Sequence, residues 1–307
     1  MGIRGLFYRF AIGFLILVIS ALNPVGAETF RVALFGDANE GPFSYQYDVL
    51  RLAVEHAEGD HQLIFEDFGD ASVSRILDLM ERGNIDVMFA GYTREREQRF
   101  AQIYVPLTRG ILGYRVFVAR PETAEVLESI NTIEELKKHC IGSGVDWLDS
   151  DILERNGFCV EKSSYENLWR MLSHGRFDLL NRGLHEVHGE RDLVKSAGLV
   201  IDQSVVLAYP MDFFFYVRAD DRNRQNILTN GLLNAYDTGA FMRNFYSNIG
   251  IARSLRAIKD PNRKVFFVDN PFLSGRVKGI PDQYWEKENP GDLSGSCAGC
   301  PLDALID

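Results

Sequence analysis

No cysteine precedes Cys140 in this chain of 307 residues. That excludes a lipid-modified cysteine directly behind an amino-terminal leader. Charge is missing from the run Phe10 to Leu22, which follows Arg4 and Arg9 and ends in "NPVGA". Val25 and Ala27 are the small residues a signal peptidase accepts, so residues 1–27 are expected to be a signal peptide cleaved after Ala27. An uncleaved anchor is the alternative, but the run is shorter than the roughly 20 apolar residues that span a bilayer. No second apolar span follows, and a membrane-bound signalling domain is not expected.

Basic residues are in deficit, 33 Lys and Arg against 43 Asp and Glu, for a formal charge of −10. Such a surface repels phosphate backbones and excludes nucleic acid as a partner. No GxSxG is present, and no lysine follows the glycines of "GSGVDW", so neither a serine-hydrolase elbow nor a phosphate loop is expected. "HEVH" at 185–188 lacks the four-residue spacing of HExxH, and His185 and His188 stand alone, so no metal is expected. No cofactor and no catalytic residue are expected.

Four cysteines in an exported chain read most economically as two disulfides. Cys140 opens "CIGSG" and Cys159 lies in "GFCVEKS", two strands separated by a helical segment. The pair is bridgeable if those strands are parallel neighbours. Cys297 and Cys300 form "CAGC" in a Gly- and Ser-rich tail, where a redox pair or half a zinc site are the alternatives to a plain disulfide.

What is present alternates. "TFRVALF" and "QLIFED" have strand character, "DVLRLAVEHA" spaces Val49, Leu50, Ala53 and Ala57 helically, and "SVSRILDLMERG" places Val73, Ile76, Leu77 and Met80 on one face with Gly83 as its cap. This is the rhythm of an open α/β sheet, in a chain long enough for two lobes. "LMERGNIDVMFAG" (79–91) is echoed by "MLSHGRFDLLNRG" (171–183), with Gly83 and Gly175, Asp86 and Asp178, and Gly91 and Gly183 in matching places. Two similar lobes are implied, each presenting the loop after a strand, where open α/β sheets bind ligands.

After the first of those strands, Gly91 admits close backbone approach and Thr93 is placed to cap a helix opening at Arg94. Arg96 then lies in the first turn, among free amides and the positive dipole end, an anion site in outline. Arg94, Glu97 and Arg99 read as a solvated face, with Glu95 and Arg99 paired at i, i+4.

The ordered series "GNIDVMFAGYTRERE", "YVPLTRGILGYRVFVARPE", "NTIEELKKHCIGSG", "MLSHGRFDLLNRG" and "YPMDFFFYVRADD", across residues 29–250, resembles bacterial periplasmic type 2 solute-binding proteins of solute-binding family 3. The resemblance implies a two-lobed α/β fold, each lobe an open mixed sheet flanked by helices, joined by two hinge strands near 112–119 and 212–217. It divides the chain into 28–113 (first lobe), 114–212 (second lobe), 213–250 (return to the first lobe) and 251–307 (C-terminal extension). It further implies a periplasmic monomer that traps a small solute between its lobes and passes it to an inner-membrane permease or sensor.

Thr93 and Arg96 match the family's threonine and carboxylate-binding arginine. The usual clamp for an α-amino acid is incomplete, because Asp146 and Trp147 replace a Gly-Ser/Thr pair and Gly183, preceded by Arg182, replaces an amine-binding aspartate. "GSGVDWLD" and "RFDLLNRGLHE" look like a divergent subgroup with GxGxxWxD and RFDxxxRGxxE. Trp147 is then a stacking wall, Asp149 an acceptor, and Arg182 with Arg96 a pair of cations from opposite lobes, which favours an anionic or carboxylate-bearing solute. The plainer readings are Trp147 in the core, Asp149 as a helix cap and Arg182 paired with Glu186. Phe43 and Tyr45 stand where the family places an aromatic wall. The same fold hosts cyclohexadienyl dehydratases, and Glu186 or Asp149 are the carboxylates an enzyme of that kind would use.

Overall fold

The computed structural model describes residues 26–35, 37–39, 43–68, 71–145 and 147–286. Most of the leader, Asp146, Cys297 and Cys300 lie outside the described residues. Among the described residues twelve strands occur: β1 Thr29–Leu34, β2 Gln62–Asp67, β3 Val87–Gly91, β4 Phe100–Gln102, β5 Tyr114–Ala119, β6 Ile141–Gly144, β7 Val160–Ser163, β8 Leu179–Gly183, β9 Val200–Ile201, β10 Val205–Ala208, β11 Phe213–Arg218 and β12 Lys264–Phe267. They form two sheets. The first runs β2-β1-β3-β11-β4; the second runs β12-β10-β5-β8-β6-β7, with β9 also paired to β5.

The sequence echo is one structural unit used twice. Gly83 and Gly175 both have left-handed backbones, at φ +74° and +70°, which end the preceding helix at little steric cost. Asp86 then exchanges with the neighbouring parallel strand: its N–H donates to the Arg31 carbonyl at 2.9 Å, and its carboxylate accepts from the Arg31 N–H at 2.8 Å. In the second sheet Asp178 N–H donates to the Cys140 carbonyl at 2.9 Å, and the Asp178 carboxylate accepts from Cys140 N–H at 2.8 Å. Each aspartate thus sets the start of its strand against a parallel neighbour, β3 against β1 and β8 against β6.

β6 and β7 are parallel neighbours with Ile141 opposite Val160, so Cys140 and Cys159 face each other one residue earlier and are joined by a disulfide, with Cα atoms 4.6 Å apart. The condition attached to that pair is met.

The chain passes from the first sheet to the second through residues 103–113 and back through 209–212. These crossings touch. Tyr209 N–H donates to the Gly113 carbonyl, and a Cβ on Gly113 would lie 1.9 Å from the Tyr209 carbonyl oxygen, so a side chain is excluded there. Buried Asp212 ties them further, accepting from Thr108 N–H at 2.9 Å, Thr108 Oγ1 at 3.0 Å, Phe213 N–H at 2.6 Å and Gly110 N–H.

Beyond residue 250 the chain crosses twice more. Helix Ile249–Lys259 buries Ile251 and Leu255 in the first-sheet core, and β12 then adds to the edge of the second sheet beside β10. Leu273, Val277 and Ile280 return to the first sheet, packing with Ile76, Met80 and Tyr92. Arg109, itself at φ 53°, holds the end of this segment by donating to the carbonyls of Gln283 at 2.8 Å and Trp285 at 3.0 Å and pairing with Glu286 at 3.3 Å.

Candidate functional site

Strand direction decides which loops face the crossings. β1 and β3 are parallel, and Phe213 at the start of antiparallel β11 pairs with Gly91 at the end of β3. In the second sheet β6 and β8 are parallel, and Arg115 near the start of antiparallel β5 pairs with Gly183 at the end of β8. The loops after β3, β6 and β8 therefore all emerge at the ends where the chain crosses between sheets.

On the first-sheet side, Thr93 caps the helix Arg94–Arg99, its Oγ1 accepting from Arg96 N–H at 3.1 Å. Such a cap is worth about 1 kcal/mol. The Arg96 side chain folds back so that Nη1 donates to the Gly91 carbonyl, while Nε is buried without a partner among the described residues. No carboxylate lies within ion-pair distance of it among the described residues. Burial pushes the Arg96 guanidinium below its usual range, only partly opposed by Tyr216 and Glu95. Its neighbours in sequence behave differently. Arg94 is exposed, and Arg99 pairs with Glu95 at 2.8 Å and Glu81 at 2.9 Å. Glu97 is not simply solvated: it accepts from Tyr92, Tyr104 and Ser274 hydroxyls at 3.0, 2.8 and 2.7 Å, bolting the returning C-terminal segment to this helix.

On the second-sheet side, Trp147, Asp149, Arg182 and Glu186 come together in one network. Arg182 donates to both oxygens of Glu190, at 2.7 to 3.0 Å, and lies 3.4 Å from Glu186. Its guanidinium stacks 4.9 Å from the Trp147 ring and 5.3 Å from Tyr165. Trp147 reaches that position by folding over Gly144, where a Cβ would fall 2.4 Å from the indole. Asp149 is buried, 2.7 Å from Arg115 and hydrogen-bonded by the Tyr209 hydroxyl. Burial pushes the Glu186 carboxyl up, but Arg182, His185 and Arg115 outweigh it and hold the group at about 2.

The two sides meet. Leu148 packs against the cores of both lobes, and Met211 accepts from Arg115 Nη2 through Sδ while its methyl lies against Gly91. Phe43 stacks edge-on or tilted with Phe35, Phe89 and Phe213, and His185 approaches the same Phe213 ring at 6.4 Å. Both ring nitrogens of His185 are buried without partners among the described residues. Tyr45 is turned into the first-sheet core, its ring against Phe245 and its hydroxyl donating to the Leu107 carbonyl.

Arg115, Glu190 and Tyr209 were not singled out from the sequence, and His185 was weighed there only as a metal ligand. For Arg115 a signal existed, a lone charge within the strand "YRVFVA", all of which is buried. Among the described residues no group of three His, Cys, Asp or Glu side chains is arranged to hold a metal, and no helix is long and apolar enough to cross a membrane.

No protein-family model matches the chain, and no curated protein matches it. Solved structures do. An ancestral arginine-binding protein bound to glutamine is 16% identical with a TM-score of 0.51, covering 72% of this chain and 98% of its own. A histidine kinase sensor domain with similarity to periplasmic binding proteins is 15% identical with a TM-score of 0.51, covering 70% and 93%. A structure from work on glutathione import through the cystine ABC importer of Streptococcus mutans is 13% identical with a TM-score of 0.50, covering 71% and 93%. The fold is that of the two-lobed periplasmic binding proteins, α/β with two mixed sheets flanked by helices.

Proposed function

We infer that this chain is an exported binding protein that holds a small, carboxylate-bearing solute between its lobes and delivers it to an inner-membrane permease of the ABC type. The observation that carries the reading is Arg96, a desolvated guanidinium at the crossing end of β3 with no carboxylate in reach among the described residues. An unpaired cation out of water is costly, and an anionic ligand would supply the missing partner. On the second-sheet side, Trp147, stacked on Arg182, and the unpartnered His185 supply an aromatic ring and a polar contact.

Binding without turnover also fits the carboxylates. A general acid must be protonated near its working pH, and Glu186 is held ionised down to about 2 by the two arginines beside it. Asp149 is committed to Arg115 and Tyr209.

A thermal-shift screen of the purified protein against small carboxylic acids tests the reading. A solute at 100 times its dissociation constant adds about 2.7 kcal/mol of stability. With the solute found, Arg96→Ala is expected to lose roughly 2 to 5 kcal/mol of binding by calorimetry, and exposed Arg94→Ala less than about 0.5 kcal/mol. Equal affinity for Arg96→Ala and the unmodified protein would return Arg96 to a structural role. Loss of labelled-solute uptake on deleting the gene, restored by the wild-type chain, tests delivery.

A further inference from the structure

A second cationic cluster lines a cavity that none of the residues assigned to the solute lines. Helix Ile249–Lys259 roofs a cavity of about 200 Å³ over the second sheet, where Val116 of β5, Ile201 of β9 and Val187 form an apolar floor. Around this floor stand Arg191, Arg253, Arg256, Arg263 and His188. Arg253, Arg256 and Ala257 are spaced i, i+3 and i+4, so one face of the helix supplies two of the guanidinium groups and the small residue that makes room between them.

Among the described residues no carboxylate is paired with that charge. None of the four arginines forms an ion pair among the described residues. Two carboxylates, those of Asp202 and Asp260, act on Arg263 through space, but burial outweighs them. Asp202 is occupied by the N–H and hydroxyl of Ser204 and the N–H of Val205, and Asp260 by Asn262. Arg263 Nη1 and His188 Nδ1 are buried without partners among the described residues, while Arg263 Nη2 donates to Gln203. Burial together with Arg191, Arg253 and Arg263 pushes His188 down to about 4, so its ring is neutral at neutral pH and adds no further repulsion. Four like charges around one small cavity, in a chain of net charge −10, are a standing electrostatic cost that a bound anion removes.

We propose that this cavity is a second ligand site, for a small organic polyanion whose carboxylate or phosphoryl groups meet the arginines and whose carbon edge rests on the apolar floor. Its volume admits a molecule of citrate size. The roof helix is rooted in the first-sheet core through Ile251 and Leu255, whereas the floor belongs to the second sheet. An anion held here links the lobes in a cavity that none of Arg96, Trp147, Asp149 or Arg182 lines.

Titration calorimetry of citrate and of inorganic pyrophosphate into the purified protein, at low ionic strength to limit screening, tests the proposal. One-to-one saturable binding of at least one probe is expected. The preferred probe then assigns carboxylate or phosphoryl chemistry. The double variant Arg253→Ala/Arg256→Ala should bind at least tenfold more weakly; both side chains are exposed on the helix, so its thermal midpoint should stay unchanged without probe. Arg191→Ala, from a different element, should weaken binding in the same sense, and Arg96→Ala should leave it alone. Absence of saturable binding by both probes, a loss below tenfold in the double variant, or loss of binding in Arg96→Ala would each overturn it. The last result would place the anion between the lobes instead, which separates this site from the one proposed above.

Discussion

The repeated aspartates permit a quantitative test of how the two lobes are built. Asp86 is 8% exposed, and its Oδ2 accepts from both Arg31 N–H and Arg31 Nε at 2.8 Å while Oδ1 accepts from Arg31 Nη2 at 2.8 Å. Asp86→Ala deprives a strand N–H of its acceptor, which costs about 1 to 3 kcal/mol when the group is poorly solvated. The paired guanidinium is 37% exposed, so its share is discounted to below about 1 kcal/mol. A total of about 1 to 4 kcal/mol follows. Asp86→Asn keeps an oxygen for the backbone N–H and turns its amide toward the guanidinium, so only the smaller part, about 1 kcal/mol, is expected to go. Asp178 makes the same backbone bond to Cys140 but is 38% exposed on its side chain and only 3.7 Å from Arg120, so Asp178→Ala should cost about 1 kcal/mol. The two sites share no partner, and the double variant should show the sum within about 0.5 kcal/mol. Equilibrium urea unfolding at pH 7, followed by circular dichroism, measures all four. Equal costs for Asp86→Asn and Asp86→Ala would refute the division between backbone bond and charge, and an unaffected Asp178→Ala would refute the equivalence of the two units.

Acid should destabilise the protein through His185, which burial, with Arg115 and Arg182 outweighing Glu186, holds at about 4. Its folded value lies below the unfolded one, so the unfolded chain binds the extra proton between about pH 6.5 and 4; stability is complete above that window and falls through it by up to about 3 kcal/mol. His188, also held at about 4, titrates in the same window, so His185→Gln should remove about half of the combined fall, and an unchanged pH profile would show that the His185 ring does not stay neutral. Replacing both Cys140 and Cys159 by alanine opens a loop with a sequence separation of 19 and should lower stability by about 3 kcal/mol in the chain-entropy model. Oxidised wild type and the double variant unfolding at the same urea concentration would count against it. The binding losses of Arg96→Ala and Arg94→Ala complete the set.

Features governed by nearest neighbours along the chain were legible without a structure. The left-handed glycines Gly83 and Gly175, the Thr93 cap on Arg96 and the Glu95–Arg99 pair each depend on residues within five positions. Their hydrogen bonds and backbone preferences are local. The disulfide was also within reach, because a parallel β-α-β unit puts the residues before two neighbouring strands side by side. The identity of each charge's partner was not. Arg182 meets Glu190 as well as the expected Glu186 because the 3-10 turn Val187–Glu190 curls that carboxylate back under it. Arg115 and Asp149, 34 positions apart, meet only once β5 and β6 join one sheet on either side of β8 and bring the helix after β6 beside β5. Tyr45 enters the core because its helix buries that face against residues 107 and 245. The C-terminal segment carries no repeat and no motif, so its two further crossings, the bolt at Glu97 and the arginine-lined cavity beneath helix Ile249–Lys259 follow from long-range packing alone. Composition and periodicity set which residues turn inward; only the folded chain decides which inward residues meet, because pairing energies act over a few ångströms in space and not along the sequence.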